Sequence, residues 1–244
     1  MGADMALTPR QRTVSFGSAS ASRAEIDEGL RSYMLRVYNY MSLGVALTGA
    51  IAMVVAMNPA VMQAVALGPM KWVLFIGILG LGWMAPKIMM TKSIAAAQGA
   101  FWVYATLWGA LIAPMFFMYT GESIVRVFFI TSAAFAGMSL YGYTTKKDLS
   151  AMGRFLMMAT FGILIAVVVN IFMQSAMFHL LLSAVVVVVF AGLTAYETQA
   201  IKEQYLEDDH SDLTTRKAIF GAFMLYGTFV TMFIWLLSIF GSRE

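Results

Sequence analysis

Cysteine is absent from the 244 residues. That excludes disulfides, thiolate metal sites and cysteine nucleophiles, and leaves the redox compartment open. Charge is scarce: Asp, Glu, Lys and Arg make up 12% of the chain, about half the ~25% of a soluble domain. Histidine occurs only as His179 and His210. These lie far apart without neighbours at metal-ligand spacing, so both read as surface histidines. A glycine-rich dinucleotide turn, a P-loop, a Gly-x-Ser-x-Gly elbow and a His-Glu-x-x-His helix are missing as well. The spans offer one carboxylate and no inward histidine or nucleophile pair, so the chain is read as no enzyme and as needing no cofactor. The first 30 residues lack an apolar core, so no cleavable signal is expected and the first span serves as an uncleaved one.

What the chain has in quantity is apolar sequence, 60% of its residues, with a mean hydropathy of +0.77. Seven apolar blocks fall at roughly 33–57, 70–90, 95–119, 123–143, 152–173, 177–200 and 216–240. Each reaches about 20 residues, enough for ~30 Å of hydrocarbon at ~1.5 Å per residue. The fold class is an all-α membrane protein, a seven-transmembrane-helix bundle over residues 31–244, with the lipid bilayer as its first partner. Residues 1–30 read as a disordered cytoplasmic tail with a short amphipathic turn from Ala24 to Leu30. The blocks are separated by turn chemistry such as Asn58-Pro59, Gly68-Pro69 and Thr120-Gly121-Glu122, and the one long loop is 203–215. Pro114 sits inside the third block and predicts a kink there.

The net charge of +3 speaks to topology, not to nucleic acid. With the N-terminus inside, 13 of the 16 Lys and Arg residues fall on the inner side, and Lys71, Arg126 and Arg243 fall outside. This bias predicts a multi-pass membrane protein with a cytoplasmic N-terminus and an external C-terminus. Small residues mark expected packing faces: Gly44, Ala46 and Gly49 in span one, Ala133, Ala134, Gly137 and Gly142 in span four. Gly221, Met224, Thr228, Thr231, Trp235 and Ser238 form a weakly polar stripe on span seven that should face the bundle interior. The 21 methionines are scattered without a repeated spacing and read as apolar filler. The run Glu207-Asp208-Asp209 lacks the glycine and spacing of a calcium loop.

Of the 13 acids, only Glu197 lies in a span, within Tyr196-Glu197-Thr198-Gln199. An intramembrane carboxylate usually serves an ion path, a proton relay or a buried pair, although a position near a helix end also lets it reach water. Lys202 follows five residues later, so Glu197 lies about 7–8 Å deeper than the inner end of span six. Its candidate partners are Lys87, near the inner end of span two, and Thr228 in span seven. We expect the Lys87 pairing, because the long lysine stem reaches down from the same end.

Four segments carry a resemblance. They are Tyr33-Met34-Leu35-Arg36-Val37-Tyr38-Asn39-Tyr40-Met41; Tyr119-Thr120-Gly121-Glu122-Ser123-Ile124 with Ser139-Leu140-Tyr141-Gly142-Tyr143; Asn170-Ile171-Phe172; and Phe190-Ala191-Gly192-Leu193-Thr194-Ala195-Tyr196. In this order the chain resembles the Bax inhibitor-1-like (TMBIM) family, in its bacterial YccA-type branch. The resemblance implies six helices around a central seventh. It also implies a pH-sensitive calcium leak tied to two acids, one ending span six and one in span seven. Here the first is Glu197. The second is replaced by Thr228 within Leu225-Tyr226-Gly227-Thr228, and Thr231 stands where the family pattern has Asn. A lone carboxylate lacks the like-charge partner that makes a proton-sensitive pair and brings little charge to calcium. Two functions therefore stay open. One is a regulatory or interaction protein of membrane quality control, partner of the FtsH-type membrane protease. The other is a calcium leak, with calcium as transported ion at Glu197 and with Thr228, Lys87 and Thr231 lining the site. Nothing in the sequence specifies an oligomeric state.

The basic bias generates a topology test. An alkaline phosphatase fused to the C-terminus should be active and a fluorescent reporter there dark. The opposite pattern would mean that one apolar block does not cross.

Overall fold

The protein is described by a computed structural model covering the backbone of residues 16–242 and the side chains of residues 28–242. The helices are α1 (Phe16–Ala56), α2 (Pro59–Ala66), α3 (Met70–Thr91), α4 (Ile94–Ile112), α5 (Met115–Met118), α6 (Gly121–Thr144), α7 (Ser150–Met173), α8 (Ala176–Glu203) and α9 (Ser211–Phe240). Seven segments are long and apolar enough to cross a membrane: α1 from Glu28, α3, α4 with α5, α6, α7, α8 and α9. They coincide with the seven blocks of the sequence.

Local chemistry sets the breaks. The side chains of Asn58, Ser93, Thr120 and Ser175 accept hydrogen bonds from the backbone N–H groups of Val61, Ala96, Ser123 and Phe178. Each cap satisfies a donor left orphaned in the first turn of a helix. Pro59 stands at the first position of α2, where its missing N–H leaves no donor unsatisfied. The third span breaks at Pro114, between α4 and α5, because that residue cannot continue the backbone ladder.

Three expectations need correction. Residues 1–15 lie outside the described region, but from Phe16 the chain is helical. Over residues 16–30 the expected tail therefore gives way to a helix continuous with the first span. Its Ala/Ser/Arg sequence after Gly17 contains no proline, and a helix already nucleated by a membrane span propagates into such sequence readily. The loop expected over 203–215 is shorter, because α9 already begins at Ser211. And α2, between the first two spans, was not expected.

The last helix is the hub. α9 packs against α1, α3, α4, α6 and α8. It is the most buried span, while α7 packs chiefly on α8 and is the least buried. The last helix is central as the resemblance implies, but five spans pack around it and the sixth, α7, stands outside them against α8. Where α4 meets α9, rings interlock: Phe101 with Tyr226 and Tyr104 with Phe223 have centroids 5.7 and 4.6 Å apart, distances at which aromatic quadrupoles attract. None of the stripe residues Gly221, Met224, Thr228, Thr231, Trp235 and Ser238 is exposed.

Small residues act at two of the expected positions. Gly142 of α6 lies directly on the Ala195 carbonyl of α8, and Gly44 of α1 lies under the rings of Phe101 and Tyr226. Gly49 and Gly137 face open space.

Candidate functional site

The site is assembled by the antiparallel pair α8–α9. Glu197 lies six residues before the end of α8 at Glu203, about 9 Å in at ~1.5 Å per residue. Side chains lean toward the N-terminus of their own helix. In α8 that direction points deeper into the bundle; in α9 it points back toward the shared end. The two side chains thus converge, and the Thr228 hydroxyl donates to Glu197 Oε2 at 2.7 Å. Thr228 is 4% exposed, and Glu197 is partly buried.

The other two candidates are not brought in. Lys87 is exposed on α3, and the one ion pair among the described residues joins Lys217 to Asp209 at 2.5 Å. The expected Lys87–Glu197 pairing is therefore corrected: Lys87 lies on an outward face and the partner of Glu197 is a hydroxyl. Thr231 donates to Gly227 O of its own helix, 2.8 Å away, and makes no bond to Glu197. Among the described residues no group of three or more His, Cys, Asp or Glu side chains is gathered at metal-binding spacing.

One residue beyond Glu197 a hydroxyl chain crosses three helices. Tyr38 Oη on α1 lies 2.6 Å from Ser139 Oγ on α6, and Ser139 Oγ lies 2.9 Å from Thr198 Oγ1 on α8. Thr198 donates onward to Thr194 O. In the core between α1 and α9, Thr48 Oγ1 and Tyr226 Oη are 2.6 Å apart. Apart from the half-buried Tyr38, these hydroxyls are buried and satisfy one another away from water.

At the end of the bundle nearest Glu197, polar side chains close the helix termini. Lys202 donates to Tyr143 O, 2.8 Å away, and lies over the Tyr143 ring. Arg216 donates to Met90 O and Lys92 O at 3.0 and 3.1 Å, and Lys217 to Gln204 O at 2.9 Å. Gln199 donates to Lys147 O and accepts from Leu149 N–H. Helix C-termini carry unpaired carbonyls and partial negative charge, which such groups neutralise. Beside this cluster, Asp148 accepts the Ser150 N–H at 2.8 Å, and that bond holds its carboxyl below its usual pKa.

The sequence reading passed over Tyr38, Ser139, Gln199, Lys202 and Arg216 as functional candidates. A signal existed: Gln199 and Lys202 follow Glu197 on one helix, and Tyr38 and Ser139 fall in the segments that carry the resemblance. His179 is also more than a surface residue. Its Nε2 is 2.7 Å from Ser238 Oγ and its ring packs on Trp235, tying α8 to α9 at the opposite end.

The Glu197–Thr228 bond makes a stability prediction. Thr228→Val strips the carboxyl group of its donor and should lower unfolding stability in detergent by about 1.5–3 kcal/mol. Glu197→Gln keeps an acceptor for the hydroxyl and should stay within ~1 kcal/mol of wild type. Lys87→Ala, on an exposed surface, should change stability by less than ~0.5 kcal/mol. Equilibrium unfolding of the three purified variants measures all of this, and a large loss confined to Lys87→Ala would return the carboxylate to the lysine.

Comparison with known proteins agrees with the architecture. Residues 30–244 match the sequence profile of the family described as "Inhibitor of apoptosis-promoting Bax1". The inner membrane protein YbhL of Escherichia coli K12 is 37% identical over 219 residues, covering 88% of this chain and 94% of that protein. An uncharacterized protein of Rickettsia prowazekii is 36% identical over 227 residues, 93% of this chain and 96% of its own length. One from Caulobacter vibrioides is 37% identical over 240 residues, again 93% and 96%. Matched by the family profile from residue 30 to its last residue, and alike over nearly the full length of such relatives, the chain belongs to the Bax inhibitor-1-like family of integral membrane proteins.

Proposed function

We propose that this family member works in the bacterial inner membrane as a regulatory, protein-binding subunit of membrane quality control, a partner of an FtsH-type protease. It lies with its basic end and N-terminus in the cytoplasm. The observation that carries this reading is the surroundings of Glu197. The intramembrane acid faces a threonine hydroxyl, and no carboxylate of the described residues stands opposite it. A hard divalent cation takes about six to eight oxygen ligands, several of them anionic. One carboxylate and one hydroxyl fall well short of that. The same pair is well suited to a structural task, pinning α8 to the central helix, and it leaves the cytoplasmic face for recognition. The bundle offers no gathered set of ligating side chains among the described residues, which supports a binding role over a transport role.

The second reading, a pH-sensitive calcium leak through Glu197, draws on the retained carboxyl group and on the hydroxyl chain beginning at Thr198. One pair of measurements separates the two. Liposomes holding the purified protein should pass no more calcium than empty liposomes between about pH 6 and pH 8, either side of neutrality. Cross-linking in cells should join the full chain to the protease. A calcium flux that depends on pH in this range and disappears in Glu197→Gln would overturn the regulatory reading in favour of the leak.

A further inference from the structure

α1 and α6 both pack on α9, and between them they leave a groove of about 880 Å³ that opens on the outside of the bundle. Its lining runs along α1 from Arg31 to Gly49, 18 residues or roughly 27 Å of helix rise. Phe135 and Phe229 form the floor, and the exposed Ala46 and Ala136 stand on opposite walls. The walls ask for little polar contact. Tyr38 and Ser139 bond each other across the groove, and Ser132 bonds back to Phe128 O. Among the described residues, Arg31 is the one charged member of the lining, at the end where the cationic side chains gather, and none of the lining residues is acidic.

We infer that this groove seats an acyl chain of an anionic phospholipid whose phosphate is held by Arg31. An apolar slot of this length with a single guanidinium at its mouth has the chemistry of that ligand: hydrocarbon below, an anionic oxygen cluster at headgroup depth. A second copy of the chain fits less well. Docked groove to groove about an axis along the membrane normal, it would bring two Arg31 side chains to the same end, like charge against like. The inference rests on the groove alone and is independent of the protease reading, so either can fail without the other.

The absence of cysteine makes the test direct. Ser42→Cys places one thiol on the groove wall, where a bimane label reports contact with brominated acyl chains. In phosphatidylcholine vesicles, brominated phosphatidylglycerol should quench the label at roughly fivefold lower mole fraction than brominated phosphatidylcholine, the factor expected of one well-placed cation. Arg31→Gln should bring that ratio to near one. Ala136→Phe, or Ala46→Phe from the opposite wall, should occupy the slot and weaken quenching by both lipids with Arg31 intact. Equal quenching by the two lipids in the labelled parent, or a preference that survives Arg31→Gln, overturns the proposal. So does efficient disulfide cross-linking of Ser42→Cys copies with a label insensitive to either lipid, which would make the groove an interface between copies.

Discussion

Hydrocarbon offers no water, so polar groups inside this bundle are driven to find partners on other parts of the chain, and among the described side chains only Tyr33, Trp108 and Asn170 keep a buried polar atom unpaired. That constraint organises the structure around α9. A 30-residue helix at the centre of a membrane bundle would pack indifferently if it were wholly apolar, because lipid tails are as good an environment as neighbouring side chains. Thr228 and Tyr226 remove the indifference. One receives its partner from α8 and the other from α1, and each bond is satisfied in a single rotation of the central helix. The hydroxyl chain from Tyr38 through Ser139 to Thr198 does the same for α1, α6 and α8. Backbone contacts as close as that of Gly142 on Ala195 then become possible, since the helices are already held in register.

The cationic end obeys a second version of the same rule. Arginine and lysine side chains there are commonly read as topology signals, and in this chain several also close helix termini. Lys202, Arg216 and Lys217 each donate to carbonyls at the end of a helix: α6, α3 and α8 respectively. Cationic side chains of the kind read as orientation signals thus satisfy backbone acceptors in the folded bundle. Lys202, Arg216 and Lys217 are thereby committed to backbone oxygens, and none of them pairs with Glu197.

Span number, span limits and the break at Pro114 were legible in the sequence, because length and hydropathy in a bilayer leave little choice. Glu197 was legible for the same reason, as the lone acid within a span. Its partner was not. Lys87 and Thr228 both lie within plausible reach by residue count, and the choice depends on the rotation of α3, which carries Lys87 outward. Rotation about a helix axis is poorly encoded when nearly every face is apolar, as in α3. The helical stretch from Phe16 was missed because its residues lack apolar periodicity, and continuation from a formed span needs none. Tyr38, Ser139 and Thr198 were missed because each is unremarkable alone; only the crossing of three helices brings them together.

The central claim is that the intramembrane acid is held by the central helix and not by a cation. A double-mutant cycle tests it most directly: Glu197→Ala and Thr228→Val, singly and together, followed by equilibrium unfolding in detergent. Here a coupling of about 0.6–2 kcal/mol between positions 197 and 228 is predicted, with less than ~0.5 kcal/mol in the matching cycle between Glu197 and Lys87. Additive effects at 197 and 228 together with strong coupling to Lys87 would contradict it.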